Sequence, residues 1–301
     1  MTTDTEHLGT FVAVDEMPRR GQLRLFVDAF FDNKLSVLGL ILVLAAIFVA
    51  LGADWIAPYD PNAQHLMTAR LKPPSAEFWL GTDQYGRDLL SRIIHGTRVS
   101  LAVGVISVVV ATTFGVVLGA IAAYCGGLVD DIIMRLMDIL LAFPGLILAI
   151  GILAVLGPSV VNVIAVIAVV SIPQVARVTR SAVLGQKEEE YVQAATVIGL
   201  SAGKKLFKHI LLNCLAPITV QSTLLVAWAI LTETALSFLG LGVRPPTPTW
   251  GSILFEGKDY ILLGIWWMSV FPGLAIMLTM LGINFLGDGL RDALDPKVRE
   301  D

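Results

Sequence analysis

The run Gly199-Leu-Ser-Ala-Gly203-Lys204-Lys205 brings together residue types that cradle a phosphate: glycines that bare the backbone amides, and a lysine that reaches the anion. Its spacing does not fit that chemistry. A nucleotide-binding loop needs four residues between its glycines, a serine or threonine after the lysine to hold magnesium, and a strand before it. Here three residues separate the glycines, Lys205 stands in the hydroxyl position, and helical periodicity precedes the run. No cofactor is expected on this chain, and any ATP must be bound by another subunit.

The second reactive group is Glu233, set in the apolar run Ile230-Leu-Thr-Glu-Thr-Ala-Leu-Ser-Phe-Leu-Gly240. An ionised carboxylate at the bilayer centre costs roughly 2.5 to 3.5 kcal/mol, so something must compensate it. It either lines a translocation path or pairs with a buried base as a structural lock. Asp130, Asp131, Arg135 and Asp138 fit helix capping together with an Arg135–Asp138 pair at i,i+3. His7, His65, His95 and His209 are isolated, and Cys125 and Cys214 stand far apart, so neither metal nor redox spacing is present. No nucleophile elbow of the Gly-x-Ser-x-Gly kind has plausible partners.

The elements that position these groups follow from composition. Of 301 residues, 55% are hydrophobic and 15% charged, with a mean hydropathy of +0.76, far from the ~25% charged content of soluble domains. Lipid is the expected solvent. A net charge of -4 without a clustered basic surface excludes nucleic acid as a partner. A spanning helix needs about 20 apolar residues, and about six segments qualify: Leu35–Ile56, Val99–Tyr124, Ile132–Leu156, Val160–Val178, Leu215–Phe238 and Ile261–Phe285. The fourth is cut short by Pro173 and Gln174, while Pro144-Gly145 and Pro272-Gly273 are expected to kink helices rather than end them. The residues before Leu35 mix acids and bases without an apolar run, unlike a cleavable signal peptide. Ala111, Gly115, Gly119 and Ala123 recur every fourth residue and predict a close helix contact, with a neighbour the sequence does not name.

Basic residues orient the spans. Of the 21 lysines and arginines, only Arg70, Lys72, Arg87, Arg92, Arg98, Arg244 and Lys258 fall outside if both termini are cytoplasmic. The outer loops are then Ala57–Arg98 and a Pro-rich, Trp-bearing one over Gly240–Tyr260, expected as a stiff surface at headgroup level. Glu190–Asn213 is left facing the cytoplasm as two short amphipathic helices broken at Gly199. One should pack through Tyr191, Ala194, Ala195 and Ile198, the other through Leu206, Phe207, Ile210 and Leu211.

Several motifs in order give the chain a family resemblance. They are Gly81-Thr-Asp-Gln-Tyr-Gly-Arg-Asp88, Met134-Arg135 with Leu141-Ala-Phe-Pro144, and Glu190-Tyr-Val through His209-Ile-Leu. Leu236-Ser-Phe-Leu-Gly-Leu-Gly242, Pro245-Pro-Thr-Pro-Thr-Trp-Gly251 and Asn284 through Pro296 complete the set. Together they resemble the C-type permease subunits of binding-protein-dependent ABC importers of the dipeptide, oligopeptide and nickel group. The resemblance implies an all-α, type I ABC importer permease of about six spans. It divides the chain into an N-terminal tail (1–34), a first span with its outer loop (35–98), a permease core (99–290) with a coupling loop (186–213), and a C-terminal tail (291–301).

What the resemblance implies for function is a multi-pass subunit of a prokaryotic cell membrane that is not itself an enzyme. It would pair with a second, related permease, two cytoplasmic ATPase subunits and an extracytoplasmic solute-binding protein, importing peptides. Its coupling loop would dock on an ATPase through Glu190, Tyr191, Gln193, Ala194, Ala195, Gly199 and His209. Two positions depart from the family motif: Gln193 replaces a glutamate, and Leu212 a proline, which lets the helix run on toward the next span. Nickel, glutathione, opines and sugar oligomers are alternative cargoes. From a different class, an ion-coupled secondary transporter with Glu233 as its coupling carboxylate competes.

Overall fold

The computed structural model describes residues 22–64 and 69–294, and among them the regular elements are helices, with one isolated bridge between Thr82 and Asp88. The helices are α1 (Gln22–Asp32), α2 (Lys34–Leu51), α3 (Ala53–Ile56), α4 (Leu89–Cys125), α5 (Gly127–Leu141), α6 (Gly145–Leu156) and α7 (Val160–Lys187). They continue with α8 (Glu190–Val197), α9 (Ala202–Lys204), α10 (Leu211–Asn213), α11 (Leu215–Phe238), α12 (Trp250–Gly257) and α13 (Trp267–Leu294). Five of these, α2, α4, α7, α11 and α13, are long and apolar enough to cross a membrane, and α5 with α6 makes a sixth if the bent pair counts as one span.

Local chemistry starts these helices where it should. The side chain of Asn33 accepts from the Leu35 amide to cap α2, Asp88 from Ser91 to cap α4, and Ser159 from Asn162 to cap α7. A reciprocal capping box between Thr249 and Ser252 opens α12. The small-residue stripe finds its neighbour within the chain: α7 lies along α4. A Cβ on Gly115 would come within 2.6 Å of the Val175 Cβ, and one on Gly119 would collide with the Ala176 carbonyl.

Four expectations are corrected. Ile132–Leu156 is not one kinked helix: α5 begins earlier, at Gly127, and ends at Leu141, and α6 leaves at 87° from Pro144. Proline lacks the amide that would continue α5 and disfavours helical geometry at Phe143. Pro173 has the opposite fate, buried inside an α7 that runs to Lys187, because neighbouring helices in a bundle support a proline-containing turn. The last span starts at Trp267, since Lys258–Leu263 winds as a 3₁₀ helix that stops at Gly264. Finally, neither presumed outer loop is free surface. Ala57–Arg98 contains the first ten residues of α4, Gly240–Tyr260 contains α12, and Trp250, expected at headgroup level, is buried with its indole nitrogen on the Ile93 carbonyl.

Candidate functional site

The segment 188–213 is fastened to one end of the bundle before it turns outward. Lys187, the last residue of α7, donates to the Tyr124 carbonyl at the foot of α4 (3.2 Å). Val192 of α8 then packs with Leu206, Ile210 and Leu211 against Ala120 and Ala123 of α4, Val183 of α7, and Cys214 and Ile218, and Ala195 is buried on the same helix. The packed face of α8 is thus not the expected one: Tyr191, Ala194 and Ile198 are exposed and only Ala195 of that set is buried. A short helix with apolar residues on two sides has its buried side chosen by tertiary contact. Phe207 also points away, because Lys205–Ile210 is wound as a π-helix whose wider turn moves it off the stripe shared by Leu206 and Ile210.

Polar contacts hold the hairpin in register. The Tyr191 hydroxyl donates to Gln186 Oε1 (2.6 Å) and accepts from Asn213 Nδ2 (2.9 Å), tying the start of α8 to the end of α10. Gln193 Nε2 donates to the Glu188 carbonyl (3.1 Å), and Lys205 Nζ to Thr196 Oγ1 (3.1 Å). His209 contributes its carbonyl to Asn213 (3.2 Å). Glu190 sits in the first turn of α8, where its charge suits the positive helix end. Leu212 lies in a helix that reaches α11 with only Cys214 as a turn between.

Gly199 makes the reversal. Its φ is +77°, the Gly199 amide bonds to the Thr196 carbonyl (3.1 Å) and the Leu200 amide to Ala195 (3.1 Å), a Schellman termination of α8. Nothing lies within 4 Å of where its Cβ would be. Around this open point the surface is apolar: Val197 is 87% exposed, Ile198 75% and Phe207 56%. Glu188, Glu189, Lys204 and Lys208 are exposed beside them. An apolar patch rimmed by charge is what a protein partner covers.

Glu233 lies on a different part of the molecule. It is fully buried, accepting from Ser237 Oγ on Oε1 (2.7 Å) and from Ser100 Oγ on Oε2 (3.3 Å), with the Thr249 hydroxyl also facing it. No base among the described residues pairs with it, so the expected alternative of a lock to a buried cation is replaced by a lock of hydroxyls joining α11 to α4 and α12. Glu233→Gln keeps one acceptor oxygen and offers an amide N–H that the other serine hydroxyl can turn to accept, and is expected to leave uptake and yield unchanged, whereas Glu233→Ala strands three hydroxyls and should cost about 1–3 kcal/mol of stability. Uptake assays and thermal melts of the two variants decide this; lost uptake with an intact melt in Glu233→Gln would make the carboxylate part of transport.

The acids of α5 are also differently employed. Asp130 forms a two-bonded pair with Arg180 (2.6 and 2.5 Å) and Asp138 a pair with Arg177 (2.6 Å), both across to α7 rather than to Arg135. The N-cap of α5 is Gly126, without a side-chain cap. His7 and His65 lie outside the described residues. One buried group was invisible in the sequence: Glu256 meets Arg87 from 169 positions away, a separation no local spacing reports.

Comparison with known proteins agrees with this architecture. The family described as binding-protein-dependent transport system inner membrane component matches residues 115–300, and the N-terminal TM domain of oligopeptide transport permease C matches residues 21–74. The chain is 48% identical over 283 residues to the di/tripeptide transport system permease protein DppC of Pseudomonas aeruginosa, covering 92% of this chain and 93% of that one. It is 47% identical over 267 residues to the dipeptide transport system permease protein DppC of Alkalihalophilus pseudofirmus (89% and 87% covered). Against the DppC of Escherichia coli K12 it is 47% identical over 284 residues (92% and 94%). With its stack of apolar helices and matches along both parts of its length, the chain belongs to the multi-pass inner membrane permease components of binding-protein-dependent ABC transport systems.

Proposed function

We propose that this permease forms half of the translocation pathway of an ATP-driven importer of di- and oligopeptides. The cargo is supported by relatives named for dipeptide and di/tripeptide transport at 47–48% identity. The carrying observation for coupling is the 188–213 hairpin, bolted at its base to α4, α7 and α11 and apolar at its tip. In this reading the tip faces the cytoplasm and seats in an ATPase subunit. Glu190, Gln193, Ala194 and the open backbone at Gly199 lie at or beside the contact, while Tyr191, Ala195 and His209 hold the hairpin's shape.

ATP and magnesium then belong to two partner ATPases, a second permease completes the pathway, and a solute-binding protein delivers the peptide from the opposite side. Closure of the ATPase pair on ATP would pull the hairpin as a rigid body and, through Val183 and Ala123, the ends of α7 and α4. Purification from membranes through a tag on this chain is expected to bring an ATPase with it, and vanadate is expected to stop dipeptide uptake. Uptake that ignores vanadate and collapses with a protonophore would instead make the chain an ion-coupled carrier.

A further inference from the structure

At the end of the bundle opposite the hairpin, four charged side chains are buried in one closed ring. Arg87 Nε donates to Asp83 Oδ2 (2.6 Å) and its Nη2 to Glu256 Oε2 (2.6 Å). Arg92, in the first turn of α4, reaches both Glu256 oxygens at 3.2 Å and the Pro61 carbonyl at 3.4 Å, with its Nε 3.5 Å from Asp83. Each arginine therefore touches both acids. None of the four side chains is more than 12% exposed. Burial pushes the Glu256 carboxyl above the usual carboxylate range, while Arg92 and Arg87 draw it back.

The ring joins α12 to α4 and to the turn that leads into it. Asp83 and Arg87 belong to a tight turn in which the Tyr85 and Arg87 amides both donate to Asp83 Oδ1 (2.8 and 2.9 Å). That turn presents Tyr85 to the surface, its ring 4.5 Å from the Arg87 guanidinium. Arg92 belongs to α4, and Glu256 to α12. α12 is itself wedged between two spans, with Gly251 against Thr234 and Ser237 of α11, and Gly257 against Met268 of α13. The Trp267 indole closes the circuit by donating to the Thr82 carbonyl (3.2 Å).

Apolar side chains of like volume would stabilise such a site as well as buried ions do, so stability alone does not call for four charges. What ions with several directed bonds add is fixed mutual orientation. We infer that the Asp83–Arg87–Glu256–Arg92 ring is a clasp that makes the Tyr85 turn, α4 and α12 one rigid body, so that a load on the turn reaches α11 and α13. Glu256 is its positioning residue, the only member contributed by α12. On the importer reading, from which the source of the load is taken, a solute-binding protein docking at this end applies it.

The test uses the whole transport complex in lipid vesicles, with a nitroxide on Tyr85→Cys in a background carrying Cys125→Ser and Cys214→Ala, and parallel ATPase assays without the label. Two variants break the clasp. Arg87→Gln/Glu256→Gln leaves a balanced Asp83–Arg92 pair, and Arg87→Lys keeps the charge but replaces the two divergent donor nitrogens, Nε and Nη2, with a single one. Both should be recovered at parental levels with basal ATPase unchanged. In the double variant the nitroxide should become mobile and stimulation by binding protein should fall about tenfold, within the usual range of coupling between sites; Arg87→Lys should fall between it and the parent. An immobile nitroxide and full stimulation in either folded variant overturn the clasp. Absence of any ATPase from the parental complex would overturn the importer reading instead, with the nitroxide spectra still deciding on the clasp.

Discussion

Replacing Gly199 with valine is expected to abolish peptide uptake while the protein still accumulates in the membrane. The backbone at this residue has φ +77° and carries both Schellman bonds of α8. A left-handed conformation costs an L-residue roughly 1–2 kcal/mol, which lowers the population of the correct turn by a factor of about 5–30. β-branching adds to that cost. The base of the hairpin does not depend on this turn, because Val192, Leu206 and Ile210 are held by α4 and α7, so assembly should survive. The empty space around the missing Cβ separates two ways of failing. Asparagine tolerates the left-handed region, so Gly199→Asn keeps the turn while adding bulk where the partner approaches. If turn geometry alone matters, Gly199→Asn retains substantial uptake; if close approach matters, it fails like valine. Uptake and binding-protein-stimulated ATPase at matched membrane levels read out both variants, and normal values for Gly199→Val would defeat the docking role of the hairpin.

How far these features were legible in the sequence depended on whether their cause was local. α11 begins and ends where its apolar run does, and the hairpin turns at the glycine its spacing marks. Prolines were ambiguous for a physical reason. Pro173 is surrounded by the bundle and the helix continues through it, whereas Pro144 follows an α5 whose Leu128, Ile132 and Leu136 remain uncovered by the rest of the chain, and the helix breaks. The same residue type thus gives opposite outcomes according to its neighbours. Charges were misassigned for a related reason: Arg135–Asp138 satisfied the helical spacing rule, yet Arg177 and Arg180 reach the acids across an interhelical contact that spacing along one helix does not encode. Glu256 shows the limit most clearly, since its partners Arg87 and Arg92 lie more than 160 positions away, and Glu233 shares it in part, with Ser237 one turn along its own helix but Ser100 133 positions away.

The small-residue stripe of α4 supports the second large effect. Gly119→Leu is expected to remove nearly all of the protein from the membrane, because the obstacle there is backbone rather than a movable side-chain tip. A Cβ at this position overlaps the Ala176 carbonyl and sits 3.0 Å from the Thr179 Cβ. α7 cannot retreat cheaply, since Arg177 and Arg180 pin it to α5 and Lys187 pins its end to Tyr124. Overpacking a tight interior costs about 1–3 kcal/mol when side chains can adjust, and more when main chain must move. Displacing α7 here would also pull Val183 from Ala120 and Ala123, the platform on which the hairpin rests. Gly119→Ala should therefore be partly defective. Gly185 supplies the control: it lies in α7 with nothing within 4 Å of where its Cβ would be, so Gly185→Ala should be neutral or stabilising by up to about 1 kcal/mol. Quantitative immunoblots of membranes and melting of solubilised protein rank the three variants. Parental abundance and melting in Gly119→Leu would mean that α4 and α7 are not packed through this stripe, and the rigid route from hairpin to bundle would lose its main contact.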